Sequence, residues 1–158
     1  MDEEHLNKLQ DDKWLAKKIK EGRPYQELYG FSDEVMLEFY DVAYELLQEG
    51  RLDDAAAAAA FICYLNPSIY DFWRLSGYIE IQRKNWKPAM MAYAAALSIA
   101  DTDLESMLEI SRCMYHLGQI QDSLQLADMV RELAEDQKNK EMLKRAEAVV
   151  DWLEGELI

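Results

Sequence analysis

An all-α fold made of repeated helix-turn-helix units is what this sequence predicts, on three observations. Segments related by a constant step of 34 residues (50, 84, 118) carry the same pattern, and small residues recur at two fixed places in each. Ala, Leu, Glu, Met and Gln, all good helix formers, are plentiful. With 6 Gly and 3 Pro among 158 residues, few positions interrupt a helix.

The repeats begin from the turns. Glu49-Gly50-Arg51-Leu52-Asp53-Asp54-Ala55 aligns with Arg83-Lys84-Asn85-Trp86-Lys87-Pro88-Ala89 and with Leu117-Gly118-Gln119-Ile120-Gln121-Asp122-Ser123. Ala43, Gly77 and Ser111 share one small position; Ala55, Ala89 and Ser123 share the other. Two antiparallel helices approach closely only where neither side chain intrudes, so Ala43 should face Ala55, Gly77 should face Ala89, and Ser111 should face Ser123. Phe39, Trp73 and Met107 fill a large apolar position. Gly50 and Gly118 fit left-handed helix ends; at the matching Lys84, Asn85 is expected to take that conformation instead.

Helices are expected near 33–49, 53–65, 69–83, 87–100, 103–117 and 120–134. Ser32, Ser68 and Thr102 stand where N-caps belong, and Thr102 with Glu105 makes a capping box. Pro88 falls in a first turn, where it is tolerated. The alanine-rich run from Asp54 to Ala60 reads as a helix packed tightly on both sides. A last helix near 138–156, with Met142, Leu143, Ala146, Val149, Val150 and Leu153 at helical spacing, would cap the stack. An N-terminal helical segment near 4–20 carries Leu6, Leu9, Trp14, Leu15 and Ile19, and Gly22-Arg23-Pro24 breaks it from the repeats. The expected organisation is therefore 1–30, a helical segment; 31–135, three repeats; and 138–158, the cap.

Composition narrows the function. Half the residues are hydrophobic and 30% charged, which is globular. Net charge is −14, from 17 basic and 31 acidic residues, so nucleic acid would be repelled; the acidity serves solubility or a basic partner. Cys63 and Cys113 form no CxxC or Cys/His cluster, which suits free thiols in a reducing compartment. The acidic start Met1-Asp2-Glu3-Glu4-His5 lacks an apolar core for a signal peptide, and Ala55 to Leu65 is too short to span a bilayer. A soluble cytoplasmic protein without stable membrane insertion is expected.

The 34-residue units resemble the tetratricopeptide repeat, whose pattern sets a large apolar residue at position 4, small ones at 8, 20 and 27, Gly near 15, an aromatic at 24 and Pro at 32. The unit starting at Tyr70 matches best, with Trp73, Gly77, Ala89, Tyr93 and Ala96; that starting at Met36 keeps Phe39, Ala43, Gly50, Ala55 and Pro67. The unit starting at Leu104 keeps Gly118 but has serines at the small positions, and Asp101 and Glu135 replace Pro. The resemblance implies a right-handed superhelical stack whose first helices line a concave groove. Positions there would be Leu37, Tyr40, Tyr44 and Leu47; Asp71, Arg74, Tyr78 and Ile81; and Glu105, Leu108, Arg112 and Tyr115. Tyrosines suit a binding surface, since they bury area while keeping a polar tip, and Arg74 and Arg112 suit carbonyls or carboxylates of a bound chain.

The stretches Phe31-Ser32-Asp33-Glu34-Val35, Phe39 to Tyr44, Glu49 to Ala55, Phe61 to Asn66 and Phe72 to Tyr78 are similar to the translocator chaperones of type III secretion, the SycD/LcrH class. That similarity implies a bacterial cytoplasmic chaperone holding hydrophobic secreted translocators by an extended N-terminal segment in the groove. It also implies a homodimer through N-terminal helices, with Leu6, Leu9, Trp14, Leu15 and Ile19 as candidate contacts; an intramolecular cap is the other reading of that segment.

Other classes fit less well. A clamp for a C-terminal carboxylate needs Lys and Asn where Tyr40 and Tyr44 stand. A generic repeat scaffold for folded partners remains the second reading. Lys13, Lys17, Lys18 and Lys20 beside Trp14, Leu15 and Ile19 allow a membrane-surface helix as a third reading, but such an amphipathic helix more usually packs on a partner or a second subunit. With only His5 and His116, and no Ser/His/Asp set, phosphate loop or HExxH, no catalytic residue, cofactor or metal is expected.

Overall fold

The computed structural model describes residues 3–157; Met1, Asp2 and Ile158, and the side chain of His5, lie outside the description. The described residues form ten helices and no strand, and the chain divides between Phe72 and Trp73 into two compact units.

The first unit holds α1 (Glu3–Leu9), α2 (Asp12–Lys20), α3 (Tyr25–Tyr29), α4 (Asp33–Gln48), α5 (Leu52–Leu65) and the opening of α6 (Tyr70–Gln82). The N-terminal segment is not one helix. Asp11 accepts hydrogen bonds from the Lys13 and Trp14 N–H groups, and this cap restarts the chain as α2. The short α3 is also absent from the sequence expectation; it runs from Pro24 to a left-handed Gly30 and buries Gln26 and Leu28. Ser32 caps α4 as expected, accepting from the Val35 N–H.

Helices α4 and α5 form a hairpin whose core includes Met36, Ala43, Leu47, Ala55, Ala59 and Ile62. The alanine-rich α5 is tightly packed on one side only. Ala55 and Ala59 are buried, whereas Ala57, Ala60, Phe61 and Tyr64 are exposed. Gln26 is the polar tie of the unit: its Oε1 accepts from Asn66 Nδ2 and its Nε2 donates to Asp33, each at 2.7 Å.

The second unit holds the rest of α6, α7 (Trp86–Ile99), α8 (Leu104–His116), α9 (Ile120–Asp136) and α10 (Lys140–Glu156). Helix α8 packs on both α7 and α9, and α9 packs on α10. Leu104, Met107, Ala127, Val130, Ala146, Val150 and Leu153 form its main core.

Asp103, not Thr102, caps α8, accepting from the Glu105 and Ser106 N–H groups. A carboxylate meets both donors and the positive end of the helix dipole. Ser68 stands two residues before α6, its own N–H held by Asn66.

The turns repeat as the spacing requires. Arg51 N–H bonds Leu46 O, Asn85 bonds Glu80 O and Gln119 bonds Met114 O, at 2.9–3.0 Å. In each, the residue before the donor is left-handed: Gly50, Lys84 and Gly118, with φ of 74°, 57° and 80°. The expectation for Asn85 is thus corrected; it is Lys84 that turns. Glu80 secures this non-glycine turn by accepting from Asn85 Nδ2 at 2.8 Å and Arg83 Nη1 at 2.8 Å.

The small positions meet in detail at Ser111 and Ser123. Each hydroxyl donates to the other residue's carbonyl, at 2.8 and 2.7 Å, and the hydroxyl oxygens lie 3.1 Å apart, fully buried. Gly77 lies against the ring of Tyr93.

Candidate peptide-binding cavities

Each unit carries a cavity lined by residues from the faces singled out in the sequence. In the first unit, Asp33, Met36, Leu37 and Tyr40 of α4 and Ile69, Asp71 and Phe72 enclose about 400 Å³. Ser32 starts α4 and thereby places these four side chains at i, i+3, i+4 and i+7. The Tyr40 ring stacks on Phe72, centroids 6.0 Å apart. Leu37 is 60% exposed on the rim of this cavity. Gln26 holds Asp33 at the edge.

In the second unit, Leu108, Glu109, Arg112, Tyr115 and His116 of α8 face Arg145, Ala148, Val149 and Trp152 of α10 across about 420 Å³. Tyr115 meets Trp152 edge-on at 4.4 Å and donates its hydroxyl to Glu156 at 3.2 Å. His116 stacks on Trp86 at 3.8 Å. Burial first, then Arg112, hold its imidazole below the usual histidine range.

The expected groove residues therefore divide. Leu37 and Tyr40 line one cavity; Leu108, Arg112 and Tyr115 line the other. Tyr44 and Tyr78 are about half exposed, at 48% and 49%. Leu47 and Ile81 are buried, so they support the face from below rather than present themselves on it. Ile81 packs in a core with Ala89, Tyr93 and Cys113. Leu108 is buried too and meets its cavity only as a wall. Arg74 donates to Glu105 Oε2 at 2.7 Å.

Arg145 and Trp152 escaped the sequence reading, which gave Val149 and the rest of α10 only a capping role. Their i, i+4, i+7 spacing with Val149 was the available signal. In the N-terminal segment, no residue of α2 is buried; Ile19 is 52% exposed, Leu6 is exposed, and Leu9, Trp14 and Leu15 are half-buried.

Among the described residues no group of three or more His, Cys, Asp or Glu is placed to hold a metal ion, and no helix is long and apolar enough to cross a membrane. Cys63 and Cys113 are buried free thiols.

No protein-family model matches the sequence. Over 125 residues it is 26% identical to the chaperone protein SicA of Salmonella typhimurium, across 75% of this chain and 72% of that protein. The structure superposes on SycD, the type III secretion translocator chaperone of Yersinia enterocolitica, with a TM-score of 0.72 at 16% identity, covering 80% of this chain and 88% of SycD. It superposes on PcrH, solved with the chaperone-binding region of PopD, with a TM-score of 0.74 at 18% identity, covering 82% and 98%. This chain has the translocator-chaperone fold. A chain from a type III secretion complex of Aeromonas hydrophila shares that fold over 92% of this chain and 97% of its own, with a TM-score of 0.81 at 14% identity. In the translocator-chaperone fold of this chain, the α4 and α8 faces supply the two cavities, and α10 closes the second.

Proposed function

We propose that this protein is a cytoplasmic type III secretion chaperone. It binds an extended N-terminal segment of a hydrophobic translocator, or a related secreted protein, and prevents aggregation or premature association before export. The observation that carries this reading is the α4–α6 cavity, where an exposed Leu37 and a Tyr40–Phe72 stack offer an apolar seat about two side chains in size. The relatives lend support: SicA is a chaperone by name, and SycD has been solved with a peptide of the translocator YopD.

The action is thermodynamic and involves no turnover. Occupying one segment lowers the free concentration of the aggregation-prone partner by mass action. An extended segment loses conformational freedom on binding, so apolar seats must offset that loss. The exposed residues of α1 and α2 fit a second copy of this chain, giving a homodimer.

Co-expression with candidate secreted translocators, followed by co-purification, tests the reading. A translocator should copurify with the natural chain and be lost with Leu37→Asp. Recovery of many unrelated folded proteins, with no preference for a translocator, would favour the generic scaffold. Sedimentation at several concentrations tests the dimer.

A further inference from the structure

The two cavities differ in charge. The α4–α6 cavity is edged by Asp33 and Asp71 and no base. The α8–α10 cavity carries Arg112, Arg145 and Glu109, one net positive charge in a chain of net charge −14. Arg145 is held from outside the cavity by Glu105, Nη1 to Oε1 at 3.4 Å. Arg112 has a looser anchor: its Nη1 lies 3.6 Å from Glu109 Oε2, beyond hydrogen-bond distance, and its side chain is 54% exposed. Glu109 Oε2 is itself buried without a hydrogen-bond partner. Glu109 Oε1 also lies 3.9 Å from Arg145 Nη2, so the carboxylate sits between the two guanidiniums, and the exposed Arg112 is the group that borders the cavity with donors to spare. Leu108, Val149 and Trp152 supply an apolar wall beside them.

We infer that the α8–α10 cavity is a second peptide site, selective for an apolar side chain next to an acidic one. The apolar side chain packs on Leu108, Val149 and Trp152. The neighbouring Asp or Glu carboxylate accepts from the exposed guanidinium of Arg112. The acidic α4–α6 cavity would repel the same carboxylate, so the two cavities read different parts of a partner. This inference rests on the reading that the chain binds extended segments.

The test uses the full chain and a fluorescent peptide with blocked ends and a Leu-Glu core, read by anisotropy. Changing the peptide Glu to Gln should weaken binding about tenfold, the worth of one charge-assisted hydrogen bond. Arg112→Gln should do the same to the Leu-Glu peptide and leave the Leu-Gln peptide unchanged. Trp152→Ala should weaken both peptides. Leu37→Asp, in the other cavity, should affect neither. Equal affinity for the Glu and Gln peptides, no binding at millimolar peptide, or indifference to Arg112→Gln overturns the site. If the peptide discriminates but no translocator copurifies, the chaperone reading fails and this site stands. If a translocator copurifies and the peptide does not discriminate, this inference alone fails.

Discussion

A Cβ placed on Gly77 would sit 2.7 Å from Cε2 of Tyr93, so the tyrosine ring occupies the space that any side chain at 77 needs. The close approach seen at Gly77 is to an aromatic on α7, one turn along from Ala89. Tyr93 is buried, and burial drives its phenol well above the usual tyrosine range, so the ring stays neutral at any working pH.

Gly77→Ala should therefore destabilise the protein by about 1–3 kcal/mol through overpacking, despite the better helix propensity of alanine. Gly77→Leu should be worse. Urea denaturation measures both, and Tyr93→Leu should recover part of the loss in Gly77→Ala. Independent, additive effects of the two changes would contradict the contact.

At the Ser111–Ser123 crossing, Ser111→Ala removes one donor from a buried reciprocal pair and should lower stability by about 1 kcal/mol. The double change to alanine should cost less than the sum of the singles, because both remove the same Oγ–Oγ contact. Chemical denaturation of the four variants checks this.

The thiols should be silent in the native state. Burial pushes Cys63 up to about 12, and burial, then Glu109, push Cys113 up to about 11. Ellman's reagent at pH 8 should label neither until denaturant is added, after which both should react. The raised values also carry a pH dependence. The unfolded thiols ionise near their ordinary value of about 8.5, so this contribution to stability is complete below that pH. It declines as pH rises towards the folded values, which denaturation midpoints at pH 8 and 10 would follow. Rapid native labelling would show that the thiols are not sealed.

Tyr44→Ala combined with Tyr78→Ala should abolish partner binding while leaving the melting temperature nearly unchanged, because each ring is about half exposed. Leu47→Ala and Ile81→Ala should behave differently, losing about 2–5 kcal/mol of stability as buried truncations do. Co-purification and thermal melts together separate the two behaviours. Normal binding by the double tyrosine variant would remove those rings from the site.

Much of the local structure is legible because helical repeats write it in small residues and turn spacing. The turns at Gly50 and Gly118 announce themselves, since a left-handed residue favours glycine. Lys84 does not, because a lysine in that conformation is chosen by the turn around it, here secured on Glu80. The cap at Asp11 and the short α3 were equally unmarked; one carboxylate and five residues leave little periodicity to read.

Helical period and close-approach sites are local properties, so the order of residues alone already marks a helical repeat chain with Tyr40, Tyr44 and Tyr78 on first-helix faces. Tertiary structure alone decided which members of those faces are covered. It buries Leu47 and Ile81, engages Arg74 with Glu105, and sets α10 opposite α8 so that Trp152 and Arg145 join Arg112 around one cavity. The physical reason is that accessibility and electrostatic partnership depend on residues far apart in the chain, which no single helix period encodes.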